Sequence, residues 1–145
     1  MILWDNSTAA AATGGQAIGQ WQAGRVVIDS RAAQAGDLFV AIKGDKHDGH
    51  DYVRDVQAKG AAAMVHKAQP APSLQVDDTL KGLEKLAHAA RARTKAKIVG
   101  VTGSVGKTGT KEMLRVALAT QGKTHATSGN YNNHIGLPLS MANFP

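Results

Sequence analysis

Cysteine is absent from this chain of 145 residues. Disulfides and thiolate metal sites are therefore excluded, and the absence fits a reducing compartment. Aromatic residues are scarce, at 4%. Lysine and arginine total 17 against 11 acidic residues, a net charge of +6, but they are scattered. Nothing in this pattern forms the stacking platform or basic stripe that grips nucleic acid. A solvated basic surface or an anionic small molecule such as a nucleotide suits the charge better. No run approaches the ~20 apolar residues of a membrane span. The opening "MILWDNSTAAAATGG" lacks the basic and apolar regions of a secretory signal. The expectation is a soluble, cytoplasmic protein with no nucleic-acid partner and no membrane insertion.

What the chain does contain is a hydrophobic fraction of 43%, enough for a packed core. Short β-rich runs at 25–28 ("RVVI"), 37–42 ("DLFVAI"), 61–66 ("AAAMVH") and 74–76 ("LQV") predict strands. A turn at 34–37 separates the first two, and the proline-broken stretch 67–73 separates the last two. A short helix is predicted from about Asp51, with Tyr52, Val53 and Val56 on one face and Gly60 as its stop. The clearest helix spans about 78–94, where Leu80, Leu83, Leu86 and Ala90 recur at helical spacing behind an acidic or threonine N-cap. Then come a strand at 97–101, a glycine turn, a helix over about 107–121 and a second parallel strand at 123–127. Met113, Leu114, Ala117 and Leu118 give the 107–121 helix its apolar face, and a polar loop beyond 127 turns into another helical start. The fold class is α/β. A small N-terminal domain covers 1–94, and 95–145 reads as the beginning of a second, parallel-sheet domain.

The segment "KIVGVTGSVGKTGTKEML" (97–114) carries the most chemistry. Gly103 and Gly106 allow backbone angles closed to other residues and let the main chain approach a ligand. The turn's N–H groups and the N-terminus of the following helix favour an anion. Lys107 can reach the outer phosphates of a nucleotide and the Thr108 hydroxyl can hold Mg²⁺. The usual string G-x-x-x-x-G-K-[ST] is not matched, because Val101 stands where its first glycine belongs.

The displaced glycine is accounted for by a resemblance. "VTGSVGKTGTKEML" resembles the ATP-binding loop of the Mur ligase family, whose form is T-G-[ST]-x-G-K-T. The resemblance assigns ATP binding to Thr102, Gly103, Ser104, Val105, Gly106, Lys107, Thr108 and Gly109, with Lys107 catalytic and Thr108 on Mg²⁺. "DSR", "GDLFVAIKG" and "DGHDY", within 28–65, resemble in order the UDP-precursor-binding domain of the later enzymes of the family. "SGNYNNHIGLPLSMA" resembles the N-x-N-N-x-x-G-x-P segment of the type that adds D-alanyl-D-alanine, where the third-residue-adding type carries threonines.

The resemblance implies an ATP-dependent amide ligase of peptidoglycan precursor synthesis. It would join D-alanyl-D-alanine to UDP-MurNAc-tripeptide through an acyl phosphate. Ser30, Arg31, Lys43, Asn132 and Asn133 are the implied precursor contacts. The residues alone leave alternatives: Arg31 can be a surface partner of Asp29, and the asparagines can be turn formers. His47, Asp48 and His50 match no standard zinc spacing, and a loop or substrate-contact role is preferred. Family members are much longer. The expectation is therefore an N-terminal portion that is inactive alone, with a third-residue-adding ligase or a non-catalytic precursor-binding fragment as alternatives. A generic P-loop kinase or GTPase would leave residues 1–94 unexplained.

Overall fold

Four consecutive β-rich runs form the centre of the computed structural model, which describes residues 1–44, 47–127 and 134–145. They are β4 (Arg25–Val27), β5 (Asp37–Val40), β6 (Ala62–Val65) and β7 (Ser73–Gln75), all parallel. An antiparallel strand, β2 (Gln16–Ile18), joins β7 to give the order β2-β7-β6-β5-β4. A two-stranded ribbon of β1 (Trp4–Asp5) and β3 (Gln22–Ala23) lies outside this sheet.

Parallel sheets need both faces covered, which makes their strands continuously apolar. Every residue of β5 and β6 is buried. On one face Val27, Phe39, Ala41, Ala63 and Val65 cluster with Val53 and Val56 of α2 (Val53–Ala58). On the other, Val26, Leu38, Met64 and Leu74 meet Ala9 of α1 (Asn6–Thr13), Leu83, Leu86 and Ala90 of α3 (Thr79–Arg93), and Ala142 of α5 (Gly136–Ala142). Tyr52 departs from expectation: it ends a 3₁₀ turn (Gly49–Tyr52) rather than starting the helix, and is 39% exposed.

The first fifteen residues are structural. Asp5 caps α1, accepting from the Thr8 amide while the Thr8 hydroxyl accepts from the Asp5 amide, and Gly14 closes the helix in the left-handed region. The Asp-x-x-Thr box and the glycine were the available signal, because the alanine-rich run between them has no apolar stripe to give periodicity.

Two expected strands are not formed. Residues 97–101 and 123–127 have no ladder among the described residues, and Ile98 and Val99 are 43% and 60% exposed. Strand propensity is realised only against a hydrogen-bonding neighbour, and none pairs with them here. Between them, α4 (Lys107–Ala119) forms as expected but buries no residue. Its apolar face is uncovered, with Met113 at 69% exposure. Helix α5, by contrast, is seated on α3 and β4. Ile135, Leu139 and Phe144 join the core, and the Trp4 indole donates to the Ala142 carbonyl at 2.9 Å.

Candidate functional site

The phosphate-type loop is built by backbone geometry. Gly103 sits at φ 151° and Gly106 at φ 79°, in the range that side chains rarely tolerate. Gly106 is the N-cap of α4 and provides no side chain to cap it. The positive end of the helix dipole therefore lies at this turn with no N-cap side chain over it. The Lys107 ammonium folds back and donates to the Gly103 carbonyl at 2.5 Å, so the loop holds its own cation in place. Thr102, Ser104, Val105 and Thr108 are exposed, and a Cβ added at Gly106 or Gly109 would meet only open space.

Lys111, one turn beyond Lys107, was not singled out from the sequence. It donates to the Thr127 carbonyl at 2.6 Å and lies 3.3 Å from Glu112. The i,i+4 spacing from Lys107 was the signal; the partner, 16 residues away, was not predictable from spacing. Hydrogen bonds from Arg115 and then from Lys111 hold the Glu112 carboxyl below its usual range.

A second group gathers where the parallel strands end, the edge at which open α/β sheets bind ligands. Ser30 and Arg31 follow β4, Lys43 follows β5, and His66 and Lys67 follow β6. Arg31 grips Asp29 through Nε and Nη2 at 3.0 and 2.7 Å, while its side chain remains 88% exposed. That bidentate hold draws the Asp29 carboxyl down to about 2, with the Arg31 amide and the nearby Lys59 charge assisting. Asp29 likewise raises the Arg31 guanidinium. Lys59, 29 residues on, donates to the Ser30 carbonyl at 2.9 Å. Lys43 forms an isolated bridge with Asp48.

The structure thus brings Ser30, Arg31 and Lys43 to one end of the sheet and sets residues 102–109, the expected ATP contacts, before and at the start of α4. Asn132 and Asn133 lie outside the described residues. Asp48 and His50 bind each other, Oδ1 to Nδ1 at 2.6 Å. No three histidine, aspartate or glutamate side chains converge as a metal site among the described residues. No helix among them is long and apolar enough to cross a membrane.

Comparison with known proteins matches residues 24–102 to the catalytic-domain model of the Mur ligase family and residues 101–145 to the Mur ligase middle domain. The chain is 41% identical over 126 residues to the UDP-N-acetylmuramoyl-tripeptide–D-alanyl-D-alanine ligase of Bacillus subtilis, covering 83% of this chain and 28% of that protein. It is 40% identical over 120 residues to the Escherichia coli enzyme of the same name, covering 80% and 26%. A crystal structure of MurF from Acinetobacter baumannii superposes with a TM-score of 0.85 at 36% identity, over 98% of this chain and 33% of that one. MurF ligase from Thermotoga maritima, solved in complex with ADP, gives 0.67 at 37% identity, over 82% and 29%. The chain therefore spans about a third or less of the length of these relatives.

Proposed function

The chain belongs to the Mur ligase family, and from that premise we propose that it is the N-terminal portion of a MurF-type ligase of peptidoglycan synthesis. The reaction would use ATP to activate the terminal carboxylate of UDP-MurNAc-tripeptide for amide formation with D-alanyl-D-alanine, in the cytoplasm. The observation that carries this reading is the loop at α4. Two glycines at positive φ precede Lys107, the second is the side-chain-less N-cap of α4, and a Cβ added at Gly106 or Gly109 would meet nothing within 4 Å.

These residues fit a nucleotide triphosphate. In the proposal, the backbone amides from Gly103 to Gly109 hold phosphate oxygens, Lys107 leaves the Gly103 carbonyl for the outer phosphates, and the Thr108 hydroxyl ligates Mg²⁺. ATP supplies the phosphoryl group that makes the carboxylate reactive. The protein's task is to bring two anions together in line, which positive charge and fixed dipoles make possible. Residues 1–94 form the precursor-binding part, with Ser30, Arg31 and Lys43 at the UDP end, and 95–145 belong to the ATP-binding part. Asn132 and Asn133 remain proposed precursor contacts.

The test is amide formation and phosphate release by a ligase carrying this sequence, given ATP, Mg²⁺, UDP-MurNAc-tripeptide and D-alanyl-D-alanine, with Lys107→Ala as control. Efficient addition of a single diamino acid to a dipeptide precursor, with no use of D-alanyl-D-alanine, would refute the MurF type.

A further inference from the structure

Asp48, Gly49 and His50 have no role in the site proposed above, yet they tie its loop to two strands. The Gly49 amide donates to the Ile42 carbonyl at 2.9 Å, just past β5. A Cβ at Gly49 would stand 2.9 Å from Ala41 Cα and Ile42 N, so only glycine allows this approach. The next residue reaches the neighbouring strand. The His66 amide, just past β6, donates to His50 Nε2 at 3.1 Å. The two imidazoles meet edge to face with centroids 4.0 Å apart.

Those contacts fix the ring's proton. Because His50 Nε2 receives an N–H, it presents a lone pair, so the ring hydrogen is on Nδ1. Nδ1 then donates to Asp48 Oδ1 at 2.6 Å, and the same oxygen accepts the His50 amide at 3.0 Å. The His50 side chain is only 6% exposed. With both nitrogens engaged, it offers no lone pair to a metal or substrate.

What the clamp holds is the precursor end of the sheet. Asp48 bridges Lys43 through the backbone, and the Gly44 amide donates to the His47 carbonyl at 2.9 Å. The 3₁₀ turn that contains His50 ends at Tyr52, directly before α2. We propose that His50, as the neutral Nδ1–H tautomer, is a positioning residue. It fixes Lys43, which follows β5, at the end of the sheet where Arg31 follows the neighbouring β4, and thereby sets affinity for the nucleoside-diphosphate end of the precursor. The inference rests on the MurF-type reading.

Titration calorimetry of UDP-MurNAc-tripeptide, with the whole chain and with His50→Phe and His50→Gln, tests it. Phe keeps the bulk and loses both polar contacts; Gln keeps an acceptor for the His66 amide and an N–H for Asp48. The expected result is at least about tenfold weaker binding for His50→Phe and restoration to within about threefold by His50→Gln. Nitrogen-15 spectra of the unsubstituted protein should show Nδ1 protonated and Nε2 bare, and the opposite tautomer overturns the proposal whether or not a variant folds. Wild-type affinity in His50→Phe, or equal loss in both variants, also overturns it while leaving the site intact, provided Arg31→Ala weakens binding. If the unsubstituted chain does not bind the precursor at all, the reading of the site falls and this proposal falls with it.

Discussion

The side-chain amide of Asn143 takes both backbone polar groups of Val26. The Val26 amide donates to Oδ1 at 2.8 Å, and Nδ2 donates to the Val26 carbonyl at 3.0 Å. β4 is the edge of the five-stranded sheet, and an edge exposes unpaired N–H and C=O groups. One asparagine, 117 residues away in sequence, supplies what a further strand would have supplied.

Asn143→Ala should therefore cost about 1–3 kcal/mol, the range for leaving buried polar groups unsatisfied. Val26 is 2% exposed, so water cannot readily replace the amide. The midpoint of urea denaturation measures the loss. Asn143→Asp should be at least as damaging, because a carboxylate accepts from the amide but opposes the carbonyl.

Arg93 makes a related junction at the end of α3. Its guanidinium donates to the Leu3 and Phe144 carbonyls at 2.8 and 2.9 Å and lies 4.2 Å from the Trp4 ring centroid. Arg93→Met keeps the aliphatic stem and removes the donors and the cation–π contact. A loss of about 1–3 kcal/mol is expected. A changed tryptophan emission should accompany it, since Trp4 loses its cationic neighbour.

The Asp29–Arg31 pair makes a pH prediction. The Asp29 carboxyl is drawn to about 2 from an ordinary 3.8, chiefly by the Arg31 hydrogen bonds. A depressed carboxylate contributes stability above its ordinary value and loses it as pH falls toward about 2. The pair is exposed, so the effect on unfolding should be small. Carbon-13 titration of Asp29 should show the low value, and Arg31→Ala should move it back toward 3.8. An unmoved Asp29 would mean that the guanidinium does not hold it.

On the proposed reading, Lys107→Ala should abolish ATP-dependent amide formation by a ligase carrying this sequence while leaving the melting temperature of the N-terminal sheet nearly unchanged, because among the described residues the Lys107 ammonium donates to the Gly103 carbonyl of its own loop. The 145 residues tested alone should release no more phosphate than this variant. The loop supplies amides, one ammonium and one hydroxyl, and misplacement by ~1 Å can cost on the order of 100-fold in rate.

The parts readable in the sequence were those governed by local pattern. The runs at 61–66 and 78–94 declared a buried strand and an amphipathic helix, and Gly60 stopped α2 as expected. The glycine turn at 103–106 and the helix after it were legible because positive-φ glycines and an amphipathic run stand in that order. What could not be read depended on distant partners. Strand propensity at 97–101 gave no hint that these residues have no ladder among the described residues. Nothing in "MANFP" announced that Asn143 would serve β4. The sequence admits Arg31 as a ligand group or as the partner of Asp29; the structure shows the pairing, with the guanidinium exposed.

The contact from Arg93 to Phe144 closes a loop of residues 51 apart in sequence, with the phosphate loop inside it. Holding ends this far apart in sequence together carries an entropic cost that grows only slowly with the length enclosed, by about 0.6 kcal/mol per doubling. The start of α4 and the Asn143–Val26 junction are therefore two points on one closed circuit of chain. Amide exchange at Val26, whose N–H is held by the Asn143 side chain, reports whether that circuit is shut.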